Sequence, residues 1–171
     1  MLSSILSKSD CAACRFCCSF RRQSLWETPI FDASTVEKLR VLYPKTKFRP
    51  VGKASYTFDI SDQYKTNAPK EEAHCPFLDI NSGCILPPDL KPFDCSIWPF
   101  RAVRRTETGK QPLYVALTPT CPAINKVPQA KINSLVQEEG LGKKILDYAK
   151  EHPDIIKDWS EFLSNNVYEE N

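Results

Sequence analysis

The placement of eight cysteines is the feature that most constrains how this 171-residue chain can fold. Near its start lies the run Cys11-x2-Cys14-x2-Cys17-Cys18, and the other cysteines are Cys75, Cys84, Cys95 and Cys121. Two intervening residues let neighbouring thiolates converge on one metal ion or cluster. Unrelated buried thiols have no reason to adopt such spacings. The pattern therefore predicts metal or cluster binding, with disulfide formation as the alternative.

The compartment bears on this choice. The first residues lack the apolar segment of a secretory signal, and no stretch is long and apolar enough to cross a membrane. We therefore expect a cytoplasmic protein without a membrane partner. Disulfides are rare in that compartment, where closely spaced cysteines more often bind metal or take part in redox chemistry.

Eight thiolates are enough for two sites of four. Side chains of adjacent residues usually diverge, so Cys18 is expected to serve a different site from Cys17, or none. One partition gives Cys11, Cys14, Cys17 and one distal cysteine to the first site, and Cys18 with the remaining three to the second. The sequence leaves open which distal cysteine joins which site.

Both iron–sulfur clusters and zinc accept four thiolates. Three ligands at x2, x2 spacing resemble a ferredoxin ligand run, and the Cys75-Pro76 and Cys121-Pro122 pairs resemble the Cys-Pro that ends such a run. Paired cysteine knuckles are instead typical of tetrahedral zinc. We favour an iron–sulfur cluster, of the 4Fe-4S type, with zinc as the alternative cofactor.

Other classes of function find less support. Only five glycines are present and they do not form a phosphate-binding loop. The formal charge of +2 is offset once thiolates bind metal, so it does not indicate a nucleic-acid partner. Arginines, aromatic residues, carboxylates and His74 near the cysteines are interpreted mainly as structural or solvated. No nucleophile, base or substrate is evident. A protein or redox partner, and whether the chain is an enzyme, stay open.

Local patterns predict short elements. Ser34 and Glu37 form a capping box for a helix over 34–43, and alternating apolar residues indicate a strand over 54–59. Turn residues predict a small hairpin over 75–88. A second hairpin is expected from strands at 100–105 and 113–118, and three helices are expected after residue 128, the last over 155–163. No regular element is predicted before residue 26.

We therefore expect an α+β fold: a small, irregular, cysteine-rich, metal-stabilised domain with short hairpins and a helical C-terminal region. Residues 1–125 would form the cysteine-cluster metal-binding region, and residues 126–171 a helical extension of the same domain. Because the first region has few periodic apolar segments, ligation worth about 10–16 kcal/mol for a structural zinc would substitute for burial. The metal-free protein is expected to be poorly folded.

The segments CAACRFCC, CPFLDINSGCILPPDLKPFDCSIWPF and TCP resemble the cysteine-cluster family named for its CxxCxxCC motif, described as a zinc- or iron-chelating domain. The match spans roughly residues 11–122. The resemblance implies metal ligation by all eight cysteines, and loops shaped by Pro76, Phe77, Pro92 and Pro99. Lys91 and Leu86 depart from the residues usual in the family. The family also resembles the cysteine-rich part of flagellin lysine methylases, so an accessory role in protein lysine methylation is a further alternative.

Overall fold

The computed structural model describes residues 8–22, 27–104, 112–118, 120–158 and 165–169, with the backbone alone for Lys8, Asp10, Cys11 and 165–167. It confirms the predicted α+β class, with short hairpins and a C-terminal helix. The chain divides into two compact units. We call Cys11–Ser96 the cysteine unit, and Met1–Asp10 with Ile97–Asn171 the sheet unit. Residue 125, where the sequence pattern changes, lies inside the sheet unit.

The cysteine unit combines short helices with small antiparallel sheets. In chain order the elements with most of their residues in it are α1 (Lys8–Cys14), β1 (Ser19–Arg21), β2 (Phe31–Asp32), α2 (Ala33–Leu42), β3 (Phe48–Pro50), β4 (Ser55–Phe58), β5 (Glu72–His74), β6 (Leu78–Asp79), β7 (Gly83–Cys84) and α3 (Phe93–Ile97). The strands pair as β1 with β5, as β2-β4-β3, and as β6 with β7. The predicted helix at 34–43, strand at 54–59 and hairpin at 75–88 are thus confirmed. The prediction of no regular element before residue 26 is wrong, because α1 and β1 form there.

An aromatic core holds the small sheets of the cysteine unit together. Phe31 and Phe58 contact each other edge to face with ring centroids 6.3 Å apart, and Phe77 lies 6.4 Å from Phe58. Phe20, on β1, adds a further edge-to-face contact with Phe58 at 5.5 Å. All four rings are at most 2% exposed. This unit therefore buries more apolar surface than its weak sequence periodicity predicted.

The sheet unit is built on one four-stranded sheet. Its elements are β8 (Phe100–Arg104), β9 (Leu113–Leu117), α4 (Gln129–Asn133), α5 (Leu141–Glu151), β10 (Lys157–Asp158) and β11 (Asn165–Glu169). The strands lie in the order β10-β8-β9-β11. The pairing of β8 with β9 confirms the second predicted hairpin. Helix α5 packs its buried Ile145, Leu146 and Ala149 toward β8 and β9. Within the described parts of the chain, no helix has the length and apolar character that a membrane crossing requires.

The last predicted helix is wrong where the structure describes it. A 3-10 turn, Pro153–Ile155, follows α5, and the chain then enters β10, which pairs in parallel with Val103 and Arg104 of β8. Pro153 interrupts the helical hydrogen bonds, and the free edge of β8 offers the chain backbone partners instead. Residues 159–163 of that prediction lie outside the described residues. The earlier helices are confirmed as α4 with its π-helical continuation, Ser134–Glu138, and α5.

The N-cap of helix α2 lies two residues earlier than predicted. Asp32, not Ser34, is the N-cap, and its carboxylate accepts bonds from Thr35 N–H at 2.8 Å, Thr35 Oγ1 at 2.7 Å and Ser34 Oγ at 2.7 Å. Burial alone would raise the pKa of Asp32, but these hydrogen bonds lower it overall. The predicted capping partner, Glu37, is exposed.

We predict that Asp32→Ala lowers the free energy of unfolding by about 1 kcal/mol, because an orphan helical N–H loses its acceptor. Glu37→Ala, the control, should change it by less than about 0.5 kcal/mol. Because the folded pKa of Asp32 is lowered, its contribution is present above the unfolded pKa of about 4 and is lost as pH falls through the folded value. Urea unfolding from pH 7 downwards should therefore show the variant approaching wild type. Equal losses in both variants would contradict the assignment of the cap.

Candidate metal centre

The cysteine unit contains seven of the eight cysteines, and Cys121 lies in the sheet unit. Their positions are set by short elements rather than by long helices or strands. Cys11 and Cys14 lie in α1, Cys17 and Cys18 in the 3-10 turn Phe16–Cys18, Cys75 directly after β5, Cys84 in β7 and Cys95 in α3. Those with described side chains are free thiols in the structure.

Arg15 reverses the chain in the middle of the CxxCxxCC motif. Its φ of 53° lies in the left-handed region, which is uncommon for a residue other than glycine. Its Nε donates to Ala12 O at 3.2 Å, and its own carbonyl accepts from Cys18 N–H at 3.0 Å. Helix α1 therefore ends at Cys14, and the 3-10 turn that carries Cys17 and Cys18 begins directly after Arg15.

The pairing of β1 with β5 brings the first cysteine run to the middle one. Ser19 lies opposite His74 in this antiparallel pair, so the next pair outward is Cys18 with Cys75. A backbone bond from Cys75 N–H to Cys18 O, 2.8 Å long, extends the ladder by that one pair. Cys75 also packs against the aromatic core. Two cysteines 57 positions apart in the sequence thus become neighbours.

The sulfur atoms of Cys17 and Cys18 lie 4.0 Å apart, so these adjacent side chains do not diverge as expected. A hydrogen bond with Cys17 lowers the pKa of Cys18. The bond with Cys75, burial, and the negative charge of Cys75 and Cys84 thiolates act in the opposite direction and together raise this pKa to about 12. The thiols of Cys17, Cys75 and Cys84, which come from two parts of the chain, therefore lie close enough to Cys18 to affect its ionisation. We call Cys17, Cys18, Cys75 and Cys84 the thiol group.

The hairpin formed by β6 and β7 supplies Cys84, which is exposed. Its turn is closed by Asp79, whose Oδ1 accepts from Ser82 Oγ, Ser82 N–H and Asn81 N–H at 2.7–3.0 Å. These bonds, with the positive charge of Arg15, lower the pKa of Asp79. Asp79 thus caps this turn, which agrees with the structural interpretation of the carboxylates near the cysteines.

Gly83 fixes the position of this hairpin against α1. Its φ is +80°, and a Cβ added there would lie 3.1 Å from Ala12 Cβ. Because Ala12 stands between Cys11 and Cys14, this contact joins the first cysteine run to the strand that carries Cys84. The sequence did not lead us to expect this contact between Ala12 and Gly83. The signal that could have indicated it is a small residue between two cysteines, together with a glycine directly before a third cysteine.

The charged residues near the cysteines have structural partners. Arg21 pairs with Glu72 at 3.8 Å, and Arg22 lies over the Tyr64 ring at 4.6 Å. His74, which could have replaced a thiolate, shares a hydrogen bond of 3.2 Å between its Nδ1 and Ser19 Oγ. Arg101 lies over the ring of Trp98, and Phe100 is buried. Trp26 and Arg105 lie outside the described residues.

The thiols are close without forming a finished ligand set. Among the described side chains, which do not include that of Cys11, no group of three or more His, Cys, Asp or Glu is arranged to hold a metal ion. Cys14 and Cys95 are half-buried in the cysteine unit, and Cys121 is 4% exposed in the sheet unit. Ligation by all eight cysteines stays a prediction.

A scan of protein-family models, a search of curated proteins and a search of solved structures each found no match to this chain. The resemblance to the CxxCxxCC family therefore stays a prediction that rests on the cysteine motifs.

We predict that Gly83→Ala costs more stability than Gly140→Ala, a control with nearly the same backbone conformation. Both glycines have a positive φ, at +80° and +74°, but a Cβ at Gly140 would meet nothing within 4 Å. Left-handed strain costs about 1–2 kcal/mol at either position. Only Gly83→Ala also pushes against Ala12. Urea unfolding should therefore show an additional loss for Gly83→Ala, and equal losses would mean that the hairpin does not pack against α1.

Proposed function

We propose that this protein binds metal through cysteine thiolates, and that the thiol group forms the centre of the site. The observation that supports the proposal is that Cys17 and Cys18, from one end of the cysteine unit, lie beside Cys75, which the β1–β5 pairing delivers from elsewhere in the chain. A charge interaction links Cys84 to the same group. Soft, clustered sulfur donors fit zinc and iron–sulfur clusters better than any oxygen-seeking cation.

Thiols that lie close together favour the binding of a cation. When one cysteine ionises, its negative charge opposes ionisation of the next, and this is one reason why the pKa of Cys18 is raised. A bound cation reverses that effect, because coordinated thiols are deprotonated. A bound cation thus offsets the unfavourable repulsion between neighbouring thiolates.

We favour an iron–sulfur cluster as the cofactor, with a redox or cluster-dependent role in the cytoplasm. Support comes from the x2, x2 ligand run, in which Cys11 and Cys14 share a helix and Cys17 lies in the 3-10 turn that begins directly after Arg15. A cluster of this kind exchanges single electrons. Cys95 remains a candidate ligand of the same or a second site, and Cys121 remains a candidate metal ligand.

Structural zinc is the second candidate, and one observation favours it. The thiol group takes two cysteines from a turn and two from the segment around a small hairpin, a two-plus-two arrangement that is typical of tetrahedral zinc. In that case the metal would stabilise the cysteine unit, and another surface of the protein would contact its partner.

We predict that protein purified without oxygen contains metal. Brown protein that loses its colour with dithionite, and that contains iron and sulfide, would support the cluster. Colourless protein with zinc in elemental analysis would support the second candidate. If neither metal is present and neither binds to the reduced protein, the proposal is wrong.

Single substitutions within the thiol group test its membership. Cys18→Ser and Cys75→Ser should each lose the metal of this centre, because a serine hydroxyl does not replace a soft thiolate. His74→Ala is the matched control, since it changes the residue next to Cys75 without removing a sulfur. Full metal content in Cys75→Ser, or equal loss in His74→Ala, would contradict the assignment of ligands.

We also predict that removing metal weakens the cysteine unit without dissolving its aromatic core. At free metal 100-fold above its dissociation constant, binding adds about 2.7 kcal/mol to the free energy of unfolding. Urea unfolding with and without chelator should show this difference in wild type and lose it in Cys75→Ser. Hydrogen exchange should accelerate in residues 11–19 and 72–84 more than in α2 and β4. No effect of chelator on wild type would contradict the prediction.

A further inference from the structure

We propose that Cys18 and Cys75 are an oxidation-sensitive pair, which closes a disulfide across the end of the β1–β5 ladder when no metal occupies the thiol group. The cross-link is a property of these two residues alone. Its consequence, that oxidation and metal binding exclude each other, rests on the proposed function.

The backbone already holds the two residues in a suitable relation. They form the pair next to Ser19 and His74, with a bond of 2.8 Å from Cys75 N–H to Cys18 O. Opposite residues of an antiparallel pair have Cα atoms about 4.5–5.5 Å apart and side chains on the same face. Disulfides need Cα separations of about 4.4–6.8 Å, so the pair can close without moving the strands.

Both thiols are half-buried, and the thiol of Cys75 lies close enough to that of Cys18 to raise the pKa of Cys18. Cys17, whose sulfur lies 4.0 Å from that of Cys18, is the competing partner. A bond between adjacent residues closes a small ring that includes the peptide between them, whereas the bond to Cys75 uses two chains already aligned. The geometry therefore favours Cys75 over Cys17.

The oxidant can be a small disulfide such as oxidised glutathione. A thiolate of one cysteine attacks it, forms a mixed disulfide and releases one glutathione thiolate. The second protein thiolate then attacks the cysteine sulfur of the mixed disulfide, forms the Cys18–Cys75 bond and releases the second glutathione thiolate. Two electrons pass from the protein to glutathione, and the two thiol protons end on the two glutathione molecules.

Coupling to metal follows from the shared atoms. A disulfide sulfur is no longer the thiolate that a metal ligand must be. Closing the pair would therefore remove two donors from the thiol group at once, and a bound metal would protect the same two sulfurs from oxidation. Metal loading would then report the redox state around the protein.

The test uses the full chain, freed of metal by a chelator and incubated without oxygen in oxidised glutathione. Remaining thiols are blocked, and digested peptides are analysed by mass spectrometry with fragmentation that separates Cys17 from Cys18 and Cys75 from Cys84. We expect a Cys18–Cys75 cross-link in wild type and its loss after addition of excess dithiothreitol. A Cys17–Cys18 bond, a bond to Cys84, or glutathione adducts without a cross-link would overturn the inference.

Matched serine variants separate the pair from its neighbours. Cys17→Ser and Cys84→Ser should still form the cross-link, whereas Cys18→Ser and Cys75→Ser should lose it. Far-ultraviolet circular dichroism shows whether each variant is folded. If a variant is unfolded, the site of the bond in wild type decides the question. A cross-link to Cys75 that persists in Cys18→Ser would show that the pair is wrongly assigned.

A second readout distinguishes this inference from the proposed function. Zinc ion is added to reduced and to cross-linked wild type, and bound zinc is measured after gel filtration. Binding to the reduced form and its loss in the cross-linked form support the coupling. Equal binding to both forms overturns the coupling but leaves the metal site intact. A cross-link with no binding of zinc or of iron with sulfide to the reduced form means that the proposed function fails while the pair stands.

Discussion

The pairing of β1 with β5 is the constraint on which the cysteine unit depends. Each strand has three residues, and Phe20 of β1 lies opposite Ala73 of β5, both nearly inaccessible to solvent. A slip by one residue would turn Phe20 out of the aromatic core, so burial fixes the register. The same register sets Cys18 beside Cys75. The burial of Phe20 in the aromatic core thus determines that Cys18 and Cys75 are neighbours.

Local features of this fold could be predicted from the sequence, and long-range ones could not. The strands at 100–104 and 113–117 and the helix α2 were visible because turns and apolar periodicity are properties of neighbouring residues. Strands of three residues such as β1 and β5 are too short to show alternation, and their pairing joins segments about 50 positions apart. The last predicted helix is wrong because Lys157 and Asp158 pair with the edge of β8, and no local pattern reveals such a pairing.

In the candidate site, too, some features could be predicted from the sequence and others could not. Cysteine identity and spacing pointed to all eight ligand candidates, but the expectation that Cys17 and Cys18 diverge came from a rule for regular strands. These residues lie instead in a 3-10 turn that follows the left-handed Arg15, and there adjacent sulfurs approach to 4.0 Å. Non-glycine residues with positive φ concentrate where surrounding contacts fix an unusual backbone. At Arg15 those contacts include its bonds to Ala12 and Cys18.

The aromatic core limits the stabilisation that a bound metal would have to supply to the cysteine unit. Sequence periodicity implied that ligation replaces a missing interior, but Phe31, Phe58 and Phe77 already pack together, with Cys75 at their edge. The framework can therefore hold sulfurs close before any ligand arrives. Crowded thiols can relieve their repulsion by binding a cation or by losing two electrons to form a disulfide. If Cys18 takes part in both outcomes, as we propose, the fixed β1–β5 register would couple metal binding to oxidation without any change of fold.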